Sequence, residues 1–256
     1  MTQDRMDTID RSFKPVKNLE RANTLLFWIS VAISFGVLFS QKYLVIKNGL
    51  DVIYVTITVL YFVGTQVLSL LELPRAQRNR STHMIAEALG TPLDSEETQN
   101  YYNNSQNPSM VRLGMIIFEN SLFSCRIASR MLVARRVWTG GYLLVWLLLL
   151  LVKDVSPDFI YVVAQTLFAS NIISDHLRLE KSRFEFNVIF RRCWDLFLQN
   201  KLPQDSNSTG IILDLAIQYQ STLSSMNVTL SSTIFHKINA EVSAEWEKIK
   251  QRLSLT

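Results

Sequence analysis

Two sets of side chains in this sequence have the type and spacing to do chemistry. The first is basic and aromatic. Arg126 and Arg130 stand one helical turn apart, Arg183, Arg191 and Arg192 follow later in the chain, and Trp194 comes directly after the last pair. Guanidinium groups beside an indole ring grip phosphates and stack bases. The competing reading is positive charge retained beside a membrane and drawn to anionic lipid. Tyr101 and Tyr102 are further stacking candidates, with interface packing as their alternative.

The second set lies inside an apolar run. On a helix turning about 100° per residue, Asp51, Tyr54, Thr58, Tyr61, Thr65, Ser69 and Glu72 fall within an arc of roughly 80°. Hydroxyls and carboxylates in hydrocarbon need partners, so this stripe must face other helices or water. Either helix packing or the lining of an aqueous pore satisfies it. One subunit with one such stripe is too narrow to enclose a path, so a pore requires a symmetric homo-oligomer, taken here as a tetramer.

Nothing else reads as chemistry. His83, His176 and His236 are scattered, Cys125 and Cys193 have no neighbour at metal-ligand spacing, and Gly140-Gly141 sits in an apolar run rather than a phosphate loop. No nucleophile and base stand in a recognisable frame. The sequence therefore predicts no catalytic residue, no bound metal and no resident cofactor, and an enzyme is disfavoured.

The elements that must position these residues follow from composition. Of 256 residues, 48% are hydrophobic and 19% charged, with only eight glycines and six prolines, which excludes collagen-like, disulfide-scaffold and disordered classes. The apolar residues are gathered into four blocks, Thr24–Ser40, Val52–Leu71, Val137–Val152 and Phe159–Ser174. The first two approach the roughly 20 residues needed to cross a bilayer, and the shorter two need local thinning. All but Lys42, Lys47 and Lys153 of the 26 Lys and Arg residues fall outside the two short connectors, around Gln41–Asp51 and Lys153–Asp158. Positive charge is kept inside, so both termini and the middle segment are expected in the cytoplasm.

The expected fold class is thus an all-α membrane protein: four transmembrane helices as two hairpins, with a helical cytoplasmic domain built from the middle insert and the C-terminal tail. The segments are 1–23 (cytoplasmic), 24–71 (hairpin 1), 72–136 (cytoplasmic insert), 137–174 (hairpin 2) and 175–256 (cytoplasmic tail). Glu72–Leu89 reads as a continuation of the second span stopped at Gly90-Thr91-Pro92, and Asp94–Pro108 as a loop around a short helix. Met110 onward reads as a helix running into the third span, with a membrane-surface helix as the alternative. In the tail, Asp175–Asn200 continues the fourth span, Pro203–Gly210 is a linker, Ile211–Ser225 a helix, Met226–Ser232 a turn or short strand, and Thr233–Leu253 a final helix.

Two hairpins around such an insert, an insert reading ALGTPLDSEETQNYY and a tail reading ILDLAIQYQSTLSSMNVTLSSTIFHKINAEVSAEWEKI resemble the bacterial four-transmembrane effectors found beside nucleotidyltransferases in antiphage defence. These include the SMODS-associated membrane effectors and the Hailong type. The resemblance implies an inner-membrane effector whose partners are the lipid bilayer and an oligonucleotide made by a nucleotidyltransferase. It further implies an oligomeric ion channel, more readily held closed than opened by that ligand, that depolarises the cell when released. The residues read above from charge placement and helical spacing, Arg126, Arg130, Arg183, Arg191, Arg192 and Trp194, are the expected ligand-binding set, and the stripe from Asp51 to Glu72 is the expected pore lining. The alternative is a non-conducting membrane anchor or assembly subunit that recruits a cytoplasmic partner.

Overall fold

The computed structural model describes residues 12–40, 42–93, 106–151, 159, 172–199, 206–226 and 229–255. Its elements are all helical, with no strand among the described residues. They are α1 (Lys14–Phe39), α2 (Leu44–Val67), a π-helical turn (Leu68–Glu72), α3 (Leu73–Leu89), α4 (Met110–Leu151), α5 (Ile172–Gln199), α6 (Ser206–Met226) and α7 (Ser232–Leu253). Among the described residues two helical stretches are long and apolar enough to cross a membrane, Leu44–Leu89 and Met110–Leu148. The fourth block, apart from Phe159 and its last residues from Ile172, lies outside the described residues, as do Tyr101, Tyr102 and the connector 153–158.

The chain divides into two compact units. One takes Phe13–Pro74 and Arg135–His176, the other Arg75–Ala134 and Leu177–Thr256. In the first unit, α1 begins at a proline, whose fixed φ suits a first turn. It ends where the Ser40 N–H returns to the carbonyls of Gly36 and Val37. The connector expected around Gln41–Asp51 is far shorter: α2 starts at Leu44 and takes Lys47, Gly49 and Asp51 into the helix. A lone glycine costs a helix only about 1 kcal/mol, and no proline stands there to stop it. Outward, α2 shows a continuous apolar face of Val52, Ile53, Val55, Val59, Leu60, Phe62 and Val63, all exposed. An exposed apolar surface of that extent calls for lipid or a partner.

Pro74 explains the π turn. Proline has no N–H to give the carbonyl four residues back and its ring collides with that carbonyl, so the backbone widens just ahead of it. The Leu73 N–H accordingly reaches the Leu68 carbonyl. Downstream, α3 stops at Gly90, whose φ of +65° is a left-handed conformation that glycine adopts without penalty.

The second unit is a helical bundle around Phe118 of α4. Its ring stacks on Phe197 at 5.8 Å and meets Trp246 edge-on at 5.1 Å, with Phe190 at 5.1 Å and Trp194 at 6.4 Å. Ile116, Ile117, Leu132, Leu179, Phe186, Ile189 and Tyr219 are buried with it. Two polar contacts tie this core together: the Tyr219 hydroxyl and Ser124 Oγ share a bond of 3.0 Å, and Gln77 Nε2 donates to the Leu223 carbonyl at 2.7 Å. The expected linker Pro203–Gly210 is shortened, because α6 begins at Ser206. Ser, Asn, Thr and Gly read as loop formers, yet Ser208 and Ile212 are buried against the bundle, and that burial carries the helix back past Ile211.

Candidate functional site

The helix that becomes a candidate span, α4, carries Arg126 and Arg130 on the outer side of the bundle. Opposite them, α7 offers Glu245 and Glu241 at the same one-turn spacing. Arg126 Nε donates to Glu245 Oε2 at 3.1 Å while its Nη2 bonds the other oxygen, a fork-to-fork pair. Arg130 Nη2 lies 3.7 Å from Glu241 Oε2. The result is a two-rung ladder between α4 and α7. Bonding to Glu245 raises the Arg126 pKa above its ordinary value, against the opposing effect of burial.

Beside the ladder is Cys125, whose thiol lies 3.9 Å from the Arg183 carbonyl. Arg126 and Arg183 both act on this thiol, but burial outweighs them and pushes its pKa up. The Arg183 side chain itself meets Glu180, one turn earlier on α5, at 3.7 Å. Arg126, Arg130 and Arg183 each thus meet a carboxylate of their own chain, the first two on α7 and the third on α5.

The other expected ligand residues form a separate group. Arg192 clamps Asp214 at 2.8 Å and the Gln218 amide oxygen at 2.9 Å, tying α5 to α6. Arg191 is exposed. Trp194 is half-buried against Phe118 and Phe190, and the Arg252 guanidinium of α7 stands over its ring at 5.3 Å. Arg252 belongs to this group as much as Arg191 does, and so, in opposition, does Asp214, whereas Glu241 and Glu245 belong to the ladder. Nothing in the spacing of α5 identifies residues from α6 and α7 as their partners.

The polar stripe of α2 keeps all seven of its members half-buried, between flanks that are exposed. It faces α1. Tyr61 meets Phe27 with ring centroids 6.0 Å apart, and Gly64, on the same face, lies against the Asn23 amide. Several hydroxyls are satisfied within their own helices: Thr65 to the Tyr61 carbonyl at 2.9 Å, Ser69 to Gln66 at 3.3 Å, and on α1 Ser30 to Phe27 and Ser34 to Val31, each at 2.7 Å. Thr58 Oγ1 and both amide atoms of Asn23 are buried without a hydrogen-bond partner. On α4, Thr139 is buried and Arg135 lies 3.6 Å from Asp175.

No group of three His, Cys, Asp or Glu side chains that could hold a metal occurs among the described residues. Comparison with protein-family models, with curated proteins and with solved structures finds no match for this chain.

Proposed function

We propose that the chain is an inner-membrane effector of antiphage defence with both termini in the cytoplasm. In this reading it assembles as a homo-oligomer around an ion path and is governed by an oligonucleotide from a partner nucleotidyltransferase, which holds the path closed. Loss of that ligand depolarises the membrane and arrests growth. The observation that carries this reading is the continuity of α4. Its first part holds Phe118 in the bundle core and the paired Arg126 and Arg130 outside it, and the same unbroken helix runs on through the exposed Val137, Trp138, Leu144, Val145 and Leu148. A charge neutralised at Arg126 or Arg130 therefore acts on a helix that is itself suited to lipid.

A second reading, a non-conducting anchor or assembly subunit, is favoured by the stripe of α2 facing α1 within one chain. Ion flux decides between them. Protein reconstituted in liposomes should pass ions, and a single-stranded oligodeoxynucleotide on the cytoplasmic face should suppress the flux. Correctly inserted protein that passes no ions with or without the strand would establish the anchor instead.

A further inference from the structure

We propose that Glu241 and Glu245 are resident competitors at a phosphate-chain site formed by Arg126 and Arg130, so that a bound oligonucleotide takes the place of two carboxylates of α7. The inference rests on the oligonucleotide reading above and names how that site is controlled.

The arginines have the geometry for it. Arg126 and Arg130 stand about 6 Å apart along the axis of α4, four residues at 1.5 Å each, and both point to the same side. Planar guanidinium forks that hold a carboxylate in two-point contact hold a phosphate in the same manner. The carboxylates therefore stand where phosphate oxygens would.

The carboxylates are also free to leave. Arg126 and Glu245 side chains are 51% and 35% exposed, Arg130 and Glu241 62% and 71%. Exposed pairs of this kind contribute little stability, and water is at hand to solvate both partners. What holds α7 in place is its other face, where Ile238, Val242, Trp246, Ile249 and Leu253 are buried. The two glutamates can rotate away while the helix stays docked.

Charge sets the ligand class. Two guanidiniums facing Glu241 and Glu245 make two balanced pairs, so an anion enters only by exchange. A single phosphate matches one arginine and gains too little from displacing one carboxylate. A chain of linked phosphates replaces both rungs at once, and its effective local concentration after the first contact drives the second.

The test uses the full chain in zwitterionic nanodiscs and a fluorescent single-stranded oligodeoxynucleotide. The double variant Glu241→Gln, Glu245→Gln should bind the strand about tenfold tighter at low salt, two exposed pairs having been removed from competition. Its salt slope should steepen by roughly 0.7 for each further phosphate that the arginines neutralise. Glu247→Gln changes the charge on the same helix, but Glu247 pairs with Lys250 one turn along α7, and its affinity should match the wild type. Adding Arg126→Ala and Arg130→Ala to the double variant should erase the gain, with thermal melting confirming that all variants fold. If wild type binds and the double variant binds no tighter, the competitor role is wrong while the oligonucleotide reading stands. If neither binds, both fall. An equal gain in Glu247→Gln, a gain that survives loss of the two arginines, or a gain seen only toward anionic lipid vesicles would each overturn the proposal.

Discussion

The side-chain amide of Asn23 on α1 fills the notch that Gly64 leaves on α2, so closely that a methyl group on Gly64 would collide with the amide oxygen. Asn23 is 7% exposed and its amide makes no hydrogen bond. Small residues let helices in lipid approach this far, and here the approach is made by a polar group. Gly64→Ala should therefore lower the melting temperature in detergent, at a cost of about 1–3 kcal/mol for overpacking. Asn23→Ala in the same chain removes the obstructing atoms and should recover most of the loss. A single Gly64→Ala variant that melts with the wild type would show that the hairpin yields at this point.

Thr58 separates the two uses of the polar stripe. Its hydroxyl is buried and unbonded. If it borders a water path, Thr58→Leu should reduce ion flux while insertion and oligomer size stay unchanged, since a narrower and more apolar constriction dewets. Thr65→Leu should act in the same direction. If the stripe only packs against α1, flux is unaffected, and Thr58→Val raises stability slightly by removing an unsatisfied group.

The helices are legible in the sequence because each is written locally. Apolar periodicity from Met110 and the stop at Gly90 are short-range signals, and of the four apolar runs the second and third fall in the two described helices long and apolar enough to cross a membrane. Ser206–Gly210 reads as a linker because its residues favour loops, whereas the burial of Ser208 and Ile212 that makes it helical depends on distant surfaces. The partners of the arginines are illegible for a similar reason. Glu241 and Glu245 repeat the spacing of Arg126 and Arg130, but only the docking of α7 on α4 makes the match meaningful. Arg252 over Trp194 is likewise a product of tertiary packing, and a basic last turn on α7 carries no hint of the ring beneath it.

Trp246 is the largest side chain buried in the bundle, 1% exposed and edge-on to Phe118. Trp246→Ala should cost about 3–5 kcal/mol, enough to unfold a marginal bundle. Trp246→Phe should cost much less, because the indole N–H it removes has no partner. Urea titration of both variants measures the difference. Equal losses would mean that the indole itself, rather than ring volume, is what the core requires.

Cys125 should be a slow nucleophile. Burial raises its pKa above the ordinary thiol value, so the thiolate fraction at pH 8 is smaller than that of a free cysteine. In a Cys193→Ser background, the alkylation rate with iodoacetamide should stay low at pH 8 and climb only as pH rises past the usual thiol range. Arg183→Ala withdraws a favourable charge and should slow the reaction further. A rate at pH 8 equal to that of glutathione would contradict the burial described.

The bundle is assembled from pieces of chain that are not consecutive, Arg75–Ala134 and Leu177–Thr256. Synthesis delivers them in order, and that order has a cost. When α4 leaves the ribosome, Phe118 has none of its ring partners: Phe190, Trp194, Phe197 and Trp246 are all made later, the last of them close to the end of the chain. Until then the inner face of α4 is an uncovered apolar surface, the kind of intermediate that aggregates or recruits chaperones. The closing contacts are of long sequence separation, and loop closure slows them. Helix α7 is made after the other described helices of the bundle and completes the core, so a ribosome that stops short of Trp246 leaves a chain whose bundle cannot close.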